Sequence, residues 1–209
     1  FVFSWNSFAI YMFEDDDNPD PRERFERTKK LPIYKKAEEI SELVQHLVKS
    51  VEKTDLKFKR KGEKQLLNHS LAYLMENSLI IPAKIMGAEA VEQYDLKMEN
   101  AAIIRKAARE LVTDTHGIEM TGFKDTEYLE LLRKEVDELR ILFAEWVKTF
   151  DPWDYIIDRW GLFNPPGINY DDHDPDDDIP FDPNNFPEEF FDDDFEEDSF
   201  DEDMDDEED

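Results

Sequence analysis

The chain has 209 residues, with 54 Asp and Glu against 25 Lys and Arg, a formal net charge of −29. It has no cysteine and only six glycines, which excludes disulfides and thiolate metal sites and leaves little material for Gly-rich phosphate loops. The acids are segregated: 23 of them lie in residues 171–209, which hold no Lys or Arg, so the first 170 residues carry 31 acids against 25 bases.

The stretch Phe1–Phe13 is apolar and aromatic but lacks basic leading residues and a small-residue cleavage site. It is too short to span a bilayer. The expectation is a natural start at Met12 with residues 1–11 as upstream read-through; the alternative is a peripheral membrane anchor. From Asp15 to Lys30 the chain is charged and interrupted by Pro19 and Pro21, so residues 1–30 are expected to form a flexible leader.

Pro32 stands at the expected first position of a helix, where its fixed φ is tolerated. Ile33, Ala37, Ile40, Val44, Leu47 and Val51 follow in alternating steps of four and three, one apolar face of a bundle helix. The next link is basic: Lys57, Lys59, Arg60 and Lys61 surround Phe58, Gly62 closes the link, and Lys64 follows. A second helix is predicted from Glu63, with Leu67, Leu71, Leu74, Ser78, Ile81 and Ile85 on the same step and a kink where Pro82 removes a backbone donor. A third is predicted over Tyr94–Thr115, with Leu96, Ile103, Ala107 and Leu111 inward and Gly117 as its left-handed stop. Asp125 is the expected N-cap of a fourth, whose seam is Leu129, Leu132, Val136, Leu139, Phe143, Trp146 and Phe150.

The run Asp151-Pro152-Trp153 to Trp160-Gly161 has the signals of a short helix. Its Trp153, Ile156, Ile157 and Trp160 are expected to fold back on the bundle, each large side chain contributing roughly 1.5–3 kcal/mol. No strand-like alternation competes. The predicted fold is all-α: an antiparallel four-helix bundle over 31–163, with a short aromatic C-terminal helix, followed by a disordered acidic tail over 164–209.

Ile33-Tyr34-Lys35-Lys36-Ala37, Ser78-Leu79-Ile80-Ile81-Pro82-Ala83-Lys84-Ile85 and the small-residue stretch Met98–Ala108 resemble the four-helix-bundle family of 23S rRNA intervening-sequence proteins, which includes the accessory proteins of diversity-generating retroelements. The similarity covers about residues 31–150. It implies a homo-oligomer, often a five-fold ring, that acts as a binding scaffold rather than a catalyst.

Catalytic and metal-binding patterns are missing from the sequence. A di-iron bundle needs inward Glu-x-x-His pairs, but Leu43, Leu66 and Thr113 stand three residues before His46, His69 and His116. Glu42 and His46 fit a solvent-exposed pair, and His116 fits a partner for the helix dipole. No phosphate loop or nucleophile elbow is present. The expectation is a non-enzymatic, cytoplasmic protein without a cofactor.

Two segments carry binding character. Lys57, Lys59, Arg60, Lys61 and Lys64 could contact phosphates while Phe58 stacks on a base, but a solvated link whose charge offsets neighbouring acids is the preferred reading. Arg105, Lys106 and Arg109 form a second cationic face. The tail's apolar content is too sparse to offset its ordering entropy, yet Phe181, Phe186, Phe190, Phe191, Phe195 and Phe200 recur among its carboxylates. Such spacing suits a partner with apolar pockets rimmed by Lys or Arg: charge steers encounter and the rings anchor. Asp176-Asp177-Asp178-Ile179-Pro180-Phe181 also resembles the acidic tip of bacterial single-stranded-DNA-binding proteins, where the Phe ends the chain. The leading expectation is an oligomeric adaptor whose tail binds a basic protein. The alternative is a nucleic-acid-associated protein whose tail mimics phosphate and gates the basic link.

Overall fold

In the computed structural model of the chain, residues 20–124 and 126–174 are described, and every helix or strand among them is a helix. In order they are α1 (Pro21–Thr28), α2 (Pro32–Lys53), α3 (Glu63–Glu89), α4 (Tyr94–Met120) and α5 (Thr126–Val147). α3 packs against α2 and α4, α5 also packs against α2 and α4, and α1 lies against α3. The four long helices thereby enclose one continuous apolar core.

α1 corrects the expectation of a flexible leader up to residue 30. Pro21 starts this helix instead of breaking it, because the N–H it lacks has no intrahelical partner in the first turn. The Asp20 carboxylate caps the turn by accepting the Arg22 N–H at 3.0 Å. Arg24 then ties the helix down by donating to the Ala90 carbonyl at 2.6 Å, just past the end of α3.

α2 buries Ile33, Ala37, Ile40, Val44, Leu47 and Val51, the face its spacing predicts. α3 is continuous through Pro82. The carbonyl of Ser78 would normally accept the N–H four residues on, and proline has none. A side chain from α2 supplies the donor: the buried Ser41 hydroxyl lies 2.6 Å from the Ser78 carbonyl oxygen. The same hydroxyl is 3.0 Å from the Ala37 carbonyl of its own helix.

α4 departs from expectation twice. It runs through Gly117 to Met120, and the left-handed residue beyond it is Gly122, at φ +86°. Gly117 instead permits close approach to α3, since a Cβ there would lie 2.4 Å from Ser70 Oγ. Its buried face is Ala101, Ile104, Ala107, Leu111, Thr115 and Ile118, whereas Leu96 and Ile103 are only half-buried. Adjacent isoleucines lie about 100° apart on a helix, so Ile103 and Ile104 cannot both centre one face. Ile104 continues the seven-residue spacing of Leu111 and Ile118 and takes the core.

α5 buries Leu129, Leu132, Val136, Leu139 and Trp146, with Phe150 buried just beyond its end. Asp125, the expected cap, lies outside the described residues. The Trp146 indole donates to Glu89 at 2.8 Å and meets Phe150 edge to face, with ring centres 4.8 Å apart.

The expected aromatic helix does not form. Residues 151–163 are turns and irregular chain, and Trp153 and Trp160 are 87% and 91% exposed. Ile156 is exposed too; of the four side chains expected to fold back, Ile157 alone is buried. Competition for backbone donors explains this. The Asp158 carboxylate accepts the N–H groups of Trp160, Leu162 and Phe163, while the Asn164 amide bonds both the N–H and the C=O of Asp158. A helix would have spent those groups internally. The segment docks by backbone contacts instead: Tyr94 N–H donates to the Asp154 carbonyl at 2.6 Å, and Ile156 N–H to the buried Asp95 carboxylate at 2.8 Å. The compact unit ends at Asp172, past the expected boundary at 163. A second unit begins at His173, and of it His173 and Asp174 are described.

Candidate functional site

A groove of about 770 Å³ lies between α4 and α5. Its floor is apolar, with Ala108 and Val112 from α4 and Val136, Phe143 and Val147 from α5. Four arginines line it as well: Arg105 and Arg109 one turn apart on α4, and Arg133 and Arg140 two turns apart on α5. The spacing follows from helix geometry, since steps of four and seven return a side chain to the same flank.

These arginines differ in how far they are committed. Arg133 bonds Glu119 at 2.6 Å and the Thr115 hydroxyl at 3.2 Å, and the Glu119 carboxyl is held below its usual value chiefly by that hydrogen bond. Arg140 pairs with Asp137, an acid that also lines the groove, at 2.8 Å. Among the described residues Arg105 and Arg109 take part in no ion pair, and both are exposed.

A second, polar cleft of about 420 Å³ lies between α3 and α4. His69, Tyr73 and Asn77 line it from α3, at steps of four, and Lys106, Glu110 and Asp114 from α4. His69 and Tyr73 meet edge to face with ring centres 4.3 Å apart. Burial, and next the charge of Glu110, push the Asp114 carboxyl up to about 6. Asn77 is buried, and its Nδ2 has no hydrogen-bond partner among the described residues.

The basic link expected from sequence joins α2 to α3. Lys57, Phe58, Lys59, Arg60, Lys61 and Lys64 are all exposed, Phe58 at 37%. Gly62, at φ +98°, turns the chain into α3. The Glu63 carboxylate reaches back to accept the Lys59 N–H at 2.6 Å, and that backbone contact lowers its pKa. Elsewhere, Lys36 is 15% exposed and faces Glu135 at 2.7 Å, Glu39 at 2.9 Å and Glu138 at 2.9 Å. The Glu135 and Glu39 hydrogen bonds raise its pKa. It fastens α2 to α5.

Glu42 and His46 are both exposed. Among the described residues no group of three or more His, Asp or Glu is placed to hold a metal ion, and no helix is long and apolar enough to cross a membrane. Asp176, Asp177, Asp178, Ile179, Pro180, Phe181, Phe186, Phe190, Phe191, Phe195 and Phe200, the partner-binding candidates of the tail, lie outside the described residues. Of the groove, sequence reading had found Arg105 and Arg109 but not the apolar floor or the two arginines of α5. No family model matches the chain, and neither a curated protein nor a solved structure matches it.

Proposed function

We propose that the chain is a non-enzymatic scaffold: an antiparallel four-helix bundle that assembles with itself and recruits a basic protein through its acidic, phenylalanine-bearing tail. The observation that carries this reading is the segregation of charge. Residues 171–209 hold 23 acids, no base and six phenylalanines, whereas the rest of the chain is nearly balanced. A tail that served only to solubilise would gain nothing from six aromatic rings, which favour burial. The resemblance to the intervening-sequence proteins supports self-assembly, up to a five-fold ring, and a scaffolding role.

The test is recovery of binding proteins by the full chain and by a variant with Phe181, Phe186, Phe190, Phe191, Phe195 and Phe200 changed to Ala. Helicity of the two should match, because every substitution lies outside the sequence of the described helices. The reading predicts that basic proteins are recovered by the native chain and lost with the variant. Equal recovery would refute the tail's role.

A second reading is favoured by the exposure of the basic link: the tail shields Lys57–Lys64 from nucleic acid by mimicking phosphate. It predicts that neutralising the tail's acids creates salt-sensitive binding of DNA or RNA. Continued indifference to both at low salt would remove it.

A further inference from the structure

The α4–α5 groove has the chemistry that an acidic, aromatic segment requires. Its floor would take apolar rings out of water, and its rim offers Arg105 and Arg109, two exposed cations with no ion pair among the described residues. Two grooves are poorly matched to each other, because the exposed Arg105 and Arg109 of each, which have no ion pair among the described residues, would be opposed. The occupant must bring negative charge between apolar anchors.

Two stretches of this sequence do so at the right length, Phe190–Phe195 and Phe195–Phe200, and the first brings three rings rather than two. Phe190-Phe191-Asp192-Asp193-Asp194-Phe195 places three carboxylates between phenylalanines. From Val136 to Val147 the α5 side of the floor runs about 17 Å, and the five steps from Phe190 to Phe195 span about 17 Å when extended. Rings at the two ends can therefore reach both ends of the floor while the aspartates pass the arginine rim.

We infer that the α4–α5 groove is a docking site for the Phe190–Phe195 segment of a second copy of this chain. This inference rests on the reading of the tail as a recruiting segment, and it names one of the basic surfaces recruited. The contact is heterologous, since the groove of one copy takes the tail of the next, and such a contact builds a ring or an open chain. Salt should weaken it by screening the arginines.

The experiment uses the full chain with the photo-cross-linking residue benzoylphenylalanine in place of Phe190, mixed as isotopically heavy and light copies. The expected cross-links join heavy to light chains and land between Ile104 and Thr113 on α4 or between Arg133 and Val147 on α5. Arg105→Glu with Arg109→Glu should lower their yield at least tenfold, and Phe191→Ala with Phe195→Ala should do the same without touching the helical body. Cross-links within single chains, cross-links confined to other elements, or a yield indifferent to either pair would overturn the inference. Failure here is separable from failure of the recruiting role. If cross-linking ignores the groove while loss of the phenylalanines still abolishes recovery of basic proteins, the tail recruits but not through this groove.

Discussion

The two flanks of α4 are built on opposite plans. Toward α3 the helices close on small groups: Gly117 passes so near Ser70 that a methyl would lie 2.4 Å from its hydroxyl, and a Cβ at Gly87 would lie 3.3 Å from the Asn100 side chain. Toward α5 the same helix stands off behind a groove of about 770 Å³ lined by arginines. Side chains with long charged ends cannot interdigitate as small ones do, so they hold their heads in water and leave an apolar floor beneath. The comparison teaches that packing specificity and binding capacity can occupy different faces of one helix.

The strongest way to break the closed side is bulk at its tightest point. Gly117→Val should cost about 3 kcal/mol in denaturant unfolding, by overpacking against Ser70. Gly117→Ala should become neutral or stabilising once Ser70→Ala removes the clashing oxygen, because alanine is the better helix former. An additive result for that pair would show the two helices yielding there, contrary to this account.

Next comes the neighbouring α2–α3 seam. Ser41→Ala should cost about 1.5 kcal/mol, since it leaves the buried Ser78 carbonyl without a donor. Combined with Pro82→Ala, which restores the missing backbone N–H, the loss should shrink to well under half. Equal losses in both backgrounds would mean that Ser41 does not complete the proline-broken ladder.

A smaller, pH-dependent effect belongs to the polar cleft. The folded Asp114 carboxyl keeps its proton up to about 6, against an ordinary value of 3.8. Between those values the unfolded chain binds fewer protons than the folded one, so stability falls as pH rises through that window. Asp114→Asn should therefore stabilise the protein at neutral pH and lose its advantage below pH 3.8. A stabilisation of the same size at both ends would rule out titration as its cause.

The smallest effect is expected on the open side. Arg105→Glu with Arg109→Glu should leave unfolding within about 0.5 kcal/mol of native, as befits exposed residues. A large loss would make these arginines part of the fold rather than of a binding surface.

Much of the body was legible because two helices carry uninterrupted stripes. The α2 face from Ile33 to Val51 and the α5 seam from Leu129 to Trp146 follow from steps of three and four, except that Phe143 is only half-buried and lines the groove. α4 was harder: its buried face mixes alanine and threonine with isoleucine and leucine, so the neighbouring Ile103 and Ile104 gave two competing registers. Proline and glycine misled wherever their effect depended on position. Pro21 starts α1, Pro82 is bridged by a serine from another helix, and Gly117 serves close contact rather than termination. The aromatic run after Phe150 carried helix signals, but one carboxylate, Asp158, claims three backbone donors there. The groove could not be read from any single helix, since it arises from the separation of two. Its only trace in the sequence was the recurrence of arginine at steps of four on α4 and seven on α5.

Sedimentation equilibrium of the full chain, compared with Phe190→Ala, Phe191→Ala and Phe195→Ala together, tests the coupling of tail to body most directly. The native protein should sediment as an assembly that shrinks toward the single-chain mass in the triple variant and at high salt. A native mass unmoved by either change, or a native protein that is already a single chain, would contradict it.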